Sequence, residues 1–258
     1  MNKLISGLFV FIFILISGCQ KEDDSTFNNT LFHENAKLKC VFLYSSIDSD
    51  EPISIVEEYE YDEKDRISRV SSPMYQDGVI VGTIKYDLYE YNSEGQLEKI
   101  MNYNANSNSQ TGFINLKNYI YTYSNDGKKE KEYIEYPQIG SSEYSLYKYN
   151  NNELTRIEKY GNDDDLESYV VNEYDNEENL IKESSFAGDN RQLSYTQHSY
   201  SNGLNVQSDV YIGEDKEHYR EIFRTYDENN NLIILQSNEL SMFSSAMSHV
   251  LKYEYFEE

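Results

Sequence analysis

Cys19 is the residue whose neighbours most sharply define a chemistry. It follows Leu15-Ile16-Ser17-Gly18, a short apolar run ending in small residues, and that order reads as a lipoprotein processing site, with the chain cut before an acylated thiol. Lys3 supplies the positive start of the leader. The run from Leu8 to Ile16 is about half the ~20 apolar residues that a spanning helix needs. The expected organisation is a cleaved signal peptide over residues 1–18, a lipidated tether over 19–36 and a folded domain over 37–258. Several acyl chains on Cys19 hold a protein stably at an outer membrane, where one chain binds only marginally.

The remaining candidates are weaker. Cys40, in Leu38-Lys39-Cys40-Val41-Phe42-Leu43, sits in an apolar, β-prone setting and reads as a buried structural thiol. With Cys19 acylated, it has no partner for an intramolecular disulfide. Asp163-Asp164-Asp165 with Glu167, and Asp227-Glu228-Asn229 with Asn231, offer hard oxygens to calcium, but neither has the glycine and distal glutamate of an EF-hand loop. They read as solvated turns. His218, flanked by Glu214, Asp215 and Glu217, is a lone histidine in a polar loop and a poor transition-metal site on that pattern. The chain has no Gly-x-Ser-x-Gly elbow, no His-Glu-x-x-His and no glycine-rich phosphate loop. Among 46 acidic residues some pair will always lie at the spacing of a glycosidase, so abundance makes such a pair uninformative. No catalytic residue, metal site or cofactor is expected.

Charge narrows the partners. The chain carries a net charge of -24, which argues against nucleic acid, whose phosphates demand a basic surface. It also disfavours adsorption onto anionic lipid through protein charge, so membrane attachment rests on the acyl chains at Cys19.

The folded domain is built from a repeat. Tyr59-Glu60-Tyr61-Asp62, Tyr89-Glu90-Tyr91-Asn92, Tyr121-Thr122-Tyr123-Ser124 and Tyr147-Lys148-Tyr149-Asn150 are one pattern. It continues as Asn172-Glu173-Tyr174-Asp175, His198-Ser199-Tyr200-Ser201 and Arg224-Thr225-Tyr226-Asp227, and ends in Tyr253-Glu254-Tyr255. A few turn formers follow each copy, then aliphatic pairs three residues apart, such as Ile67 and Val70 or Leu232 and Leu235. Each copy reads as strand, tight turn, strand, with both tyrosines on one face because the side-chain period is two. Spacing of three breaks that alternation, and a bulge or a strand buried on both faces accounts for it. The expected fold is all-β, an antiparallel meander of about sixteen strands. So wide a sheet must curl, split or close. A curled single-layer shell with tyrosines stacked in rows and hydroxyls facing water is the preferred form, with a two-sheet sandwich and a closed barrel as alternatives. A transmembrane barrel is rejected because Lys128-Lys129-Glu130-Lys131-Glu132 interrupts any lipid-facing apolar row.

The pattern Tyr-x-Tyr-Asp-x-x-Gly-x-Leu-x-x-Ile, clearest from Tyr89 to Ile100, resembles the YD repeats of the RHS family. In large members such repeats form the hairpins of a hollow β-shell, so the resemblance implies hairpin architecture over residues 53–258. Glycine at the turn survives only as Gly95, Gly127 and Gly203, and Lys129 replaces the leucine of the third copy. Downstream of Cys19, Gln20-Lys21-Glu22-Asp23-Asp24 resembles the surface-export signal of Bacteroidetes-type lipoproteins. Together these imply a lipid-anchored outer-membrane protein displayed at the cell surface. The leading expectation is a non-enzymatic binding module for a glycan or protein. The rivals are an envelope scaffold and a carboxylate-dependent glycan hydrolase.

Overall fold

The computed structural model describes residues 36–76, 79–107, 109–213, 215–240 and 248–256. Cys19 and the export-like residues Gln20, Lys21, Glu22, Asp23 and Asp24 lie outside them. The strands are β1 (Leu38–Tyr44), β2 (Ser54–Tyr61), β3 (Ile67–Gln76), β4 (Val79–Tyr91), β5 (Leu97–Ala105), β6 (Phe113–Tyr123), β7 (Lys129–Tyr136) and β8 (Ser141–Asn150). They continue as β9 (Glu153–Tyr160), β10 (Leu166–Tyr174), β11 (Leu180–Ala187), β12 (Gln192–Ser201), β13 (Leu204–Ile212), β14 (Glu217–Tyr226), β15 (Leu232–Glu239) and β16 (Ser248–Tyr255). All pairings are antiparallel between sequence neighbours, and β16 returns to pair with β1. The sheet therefore takes the closed form in place of the preferred open shell. Closure removes the two free edges that a curled shell would expose to other strands.

One irregularity recurs and explains the aliphatic spacing. Tyr61 faces Ile67 while Glu60 faces Arg69, so the second strand carries one extra residue beside the turn. The same shift separates Glu90 from Tyr91, Thr122 from Tyr123, Glu173 from Tyr174 and Thr225 from Tyr226. A bulge resets the alternation, so Ile67 and Val70, or Leu97 and Ile100, share the inner face opposite the tyrosines.

The turns follow from the residue after the second tyrosine. Asp62 Oδ1 accepts from the backbone N–H of Lys64 and Arg66 at 2.8 and 2.9 Å, and Asp175 and Asp227 repeat the arrangement. The fourth turn residue is left-handed in each: Asp65, Gly95, Gly127, Glu178 and Asn230 have φ between 62° and 88°. Only glycine meets that conformation without steric cost, and Asp and Asn tolerate it.

The second tyrosine of each pair does more than stack. Tyr61 Oη donates to the carbonyl of Leu38 at 2.8 Å, Tyr91 to Ile67 at 2.9 Å, and Tyr123 to Leu97 at 2.7 Å. Tyr174 reaches Leu154, Tyr200 Leu180, Tyr226 Asn205 and Tyr255 Leu232, all within 3.0 Å. Each hydroxyl thus ties its strand to the start of the strand before it, which corrects the expectation that the phenols face water. Tyr149 makes no such bond. Its ring instead has Lys128 Nζ 5.5 Å from the centroid.

The eighth hairpin is made by the chain ends. Tyr255 faces Leu38 and Tyr253 faces Val41, with the shift between Leu38 and Cys40. Leu38 and Val41 are therefore the missing aliphatic pair of the last copy, and Phe256 N–H donates to the carbonyl of Lys37 at 2.8 Å. Leu38, Val41, Leu232, Leu235 and Ile222 are buried beside this seam, as is the thiol of Cys40.

Tyr91→Phe is expected to lower unfolding free energy by about 1 kcal/mol, and Tyr149→Phe to leave it nearly unchanged, as read by urea denaturation. Replacing Glu178 by Gly, which relieves a left-handed non-glycine, is expected to raise stability by about 0.5–1 kcal/mol, while Gly95→Ala lowers it by about 1 kcal/mol.

Candidate binding site: the tyrosine-lined lumen

The first tyrosine of each pair points into the barrel, one layer above the ring formed by the second. Tyr59, Tyr89, Tyr121, Tyr147 and Tyr253 occupy this layer, and burial raises the phenol pKa of each. In the three degenerate copies the same position holds Asn172, His198 and Arg224. Further along, the inner face turns to small polar residues, including Ser168, Ser185, Ser194, Thr196 and Ser237, placed there by the strand register. Along the inner face the tyrosines thus lie at the turn end, and serine and threonine lie toward the other end.

Two polar insertions break the tyrosine layer. The first centres on Lys129, which stands where the repeat expects leucine. Its side chain is 4% exposed, with Nζ 3.9 Å from Glu132 Oε2 and 4.4 and 4.7 Å from the ring centroids of Tyr121 and Tyr147. Burial pushes Lys129 down to about 8 against the opposing pull of Glu132. It raises Glu132 as well, so desolvation outweighs attraction at both partners. Tyr147 Oη donates to Glu132 at 3.4 Å.

The second insertion centres on Arg224, which is 6% exposed. Its Nη1 donates to Asn205 Oδ1 at 3.0 Å and Ser208 Oγ at 2.8 Å. His198 Nδ1 lies 2.8 Å from the same Ser208 Oγ and 3.2 Å from Asn205 Nδ2. Burial, then the nearby guanidinium, push His198 down to about 4, so the imidazole is neutral at physiological pH. Arg224 Nε is buried and has no hydrogen-bond partner.

Carboxylates complete the lining. Tyr59 Oη donates to Glu57 Oε2 at 2.6 Å, and Asn102 Nδ2 to Asp87 Oδ1 at 2.6 Å. Burial raises Asp87 and drives Glu183 up to about 7. Cations, carboxylates and ring faces are thus presented together to one enclosed space. That lining suits a polar ligand with hydroxyl groups and flat apolar faces.

The outer face differs. Tyr86, Tyr103 and Phe113 pack together, as do Tyr133, Tyr144 and Tyr160, Tyr169 and Phe186, and Tyr195, Tyr211 and His218. On the turn side of this row lie ion pairs: Lys39–Glu254, Arg69–Glu60, Lys148–Glu158 and Lys182–Glu173. A polar cleft of about 600 Å³ also opens at the turn end, lined by Glu94, Glu98, Tyr121, Tyr123 and Asp126 among others.

The eight repeat tyrosines, Tyr61, Tyr91, Tyr123, Tyr149, Tyr174, Tyr200, Tyr226 and Tyr255, form a ring at the turn end. His218 is on the outer wall, away from the lumen. Lys129, Glu132, Glu183, His198 and Arg224 were not singled out by spacing or motif. Their signal is a departure from the repeat, as Lys129 replaces leucine and His198 and Arg224 replace tyrosine.

Glu183 sets a pH dependence. Its folded pKa of about 7 lies above the reference value of 4.5, so the folded state holds the proton more tightly. Stability from this group is complete below pH 4.5, falls as pH rises to about 7 and stays low above it. Glu183→Gln is expected to exceed wild type in unfolding free energy by up to about 3 kcal/mol near pH 8, with the gap closing in acid.

No protein-family model and no curated protein match the sequence. A porin-like protein from Bacteroides uniformis superposes with a TM-score of 0.55 at 12% identity, covering 85% of this chain and 98% of that one. A porin-like protein from Bacteroides vulgatus reaches a TM-score of 0.40 at 8% identity, over 86% and 100% of the two chains. The TcdB2-TccC3 structure without its hypervariable C-terminal region reaches 0.30 at 13% identity, over 80% of this chain and 12% of that one. The first of these shows a shared fold.

Proposed function

We propose that this chain is a non-enzymatic binding module at the outer-membrane surface, anchored by lipid on Cys19, that takes a glycan into the mouth of its barrel. The observation that carries the reading is the lumen, where tyrosine faces, carboxylates and the cations Lys129 and Arg224 converge. Sugars present flat C–H faces to aromatic rings and hydroxyls to charged groups, which is the chemistry this lining offers.

The barrel is read as standing on the membrane rather than spanning it. Spanning demands an outward apolar band about 25 Å tall between two aromatic girdles. Here one aromatic row borders directly on outward ion pairs. Lys129 and Glu132 turn inward, but Lys131 lies over the outer rings of Tyr133 and Tyr144. Fold similarity to a porin-like protein fits an outer-membrane setting, and the residues after Cys19 support surface display.

Two experiments test the proposal. Protease shaving of intact cells should release the wild-type protein and spare a variant with Lys21, Glu22 and Asp23 changed to alanine. Equal protection of both overturns surface display. On a glycan array the protein should bind, and Tyr121→Ala should weaken binding by about tenfold. Silence on the array together with a stoichiometric envelope partner in cellular crosslinking overturns the glycan reading in favour of a scaffold.

A further inference from the structure

We propose that Asp209, His218 and Glu221 form a binding site for a divalent transition metal of the zinc class on the outer wall of the barrel. The three come from adjacent strands, and the register brings them together. Asp209 faces Glu221 and Tyr211 faces His218, with a shift between Val210 and Tyr211. The shift skips Tyr219, so His218 falls on the same outer face as the two carboxylates. One ligand atom from each lies within 4.8 Å of the others. These partners are not Glu214, Asp215 and Glu217, the neighbours that surround His218 in the sequence.

His218 Nε2 is the informative atom. It is buried and has no hydrogen-bond partner, although Asp209 Oδ1 lies 3.4 Å away. An imidazole nitrogen in that state is costly unless something satisfies it. Four-coordinate zinc with bonds of about 2.0–2.1 Å spaces its ligand atoms by about 3.3 Å, so His218 and Asp209 already stand at ligand separation. A rotation of the longer Glu221 side chain closes the set.

The surroundings hold the ligands in place. The imidazole stacks on Tyr211 with centroids 4.7 Å apart, and Tyr211 stacks on Tyr195 at 4.5 Å. Gln207 Nε2 donates to both oxygens of Asp209, at 3.0 and 3.2 Å, and fixes the orientation of the carboxylate, as hydrogen bonds to ligating carboxylates do at metal sites. The charges of two carboxylates balance a doubly charged ion. With His218 34% and Asp209 21% exposed, the cluster lies near the surface, and three protein ligands leave a fourth position free. Nitrogen with carboxylate oxygen favours zinc and its neighbours over magnesium.

The test titrates the purified full chain with Co²⁺, read by visible absorption, and with Zn²⁺ by calorimetry. One equivalent of Co²⁺ should give the d–d bands of a low-coordinate site, and Zn²⁺ should displace it. His218→Ala and Asp209→Asn should abolish both signals, while His249→Ala, on β16, should behave as wild type. Gln207→Ala should weaken binding by about tenfold, and it decides the matter if the direct-ligand variants fail to fold by circular dichroism. Absence of stoichiometric binding, or binding that persists in His218→Ala as weak uptake by the acidic surface, overturns the proposal.

Discussion

The hydrogen bond from a tyrosine hydroxyl to the first carbonyl of the preceding strand is the contact on which the rest of this barrel depends. Each bond crosses between neighbouring strands at the turn end. Neutral hydrogen bonds contribute only about 1 kcal/mol net apiece, but here they recur around a ring. A hollow barrel has few cross-lumen contacts from which to draw stability, because each strand touches only its two neighbours. The tyrosine, with a large ring to bury and a hydroxyl to place, packs the inside wall and pins the register at once.

The cost of this design is visible where the repeat fails. Placing Lys129 and Arg224 in the inner layer buries two cations, and burial lowers the pKa of both. The ring faces and the amide and hydroxyl groups around them offset that penalty only in part, as the unpaired Nε of Arg224 shows. A barrel selected for stability alone would carry an aliphatic residue and tyrosine at these positions, as most of its other copies do. Their polar replacements mark the lumen as the part of the molecule under a different demand.

Much of the architecture was legible in the chain. The recurring tyrosines located seven hairpins, the turn residues placed their ends, and the spacing between aliphatics such as Leu97 and Ile100 pointed to a bulge. Closure was less legible, since a meander of this width is compatible with shell, sandwich or barrel. Its signal was present in Leu38 and Val41, an aliphatic pair at the repeat spacing with no tyrosine pair before it in sequence. Residues at opposite ends of the chain make one hairpin, which linear reading does not join. The inner lining was hidden for a similar reason: Lys129, His198 and Arg224 look like noise within a degenerate motif until the register brings all three onto the inner face.

The meeting of the chain ends also gives the molecule a polarity. β1 begins and β16 finishes at the turn end, with Lys37 held against Phe256, so the first and last described strands meet at the tyrosine-packed end. The opposite end of the barrel, where serine and threonine take over the inner face, lies farthest from Lys37, so the two ends of one closed sheet differ in what they can meet.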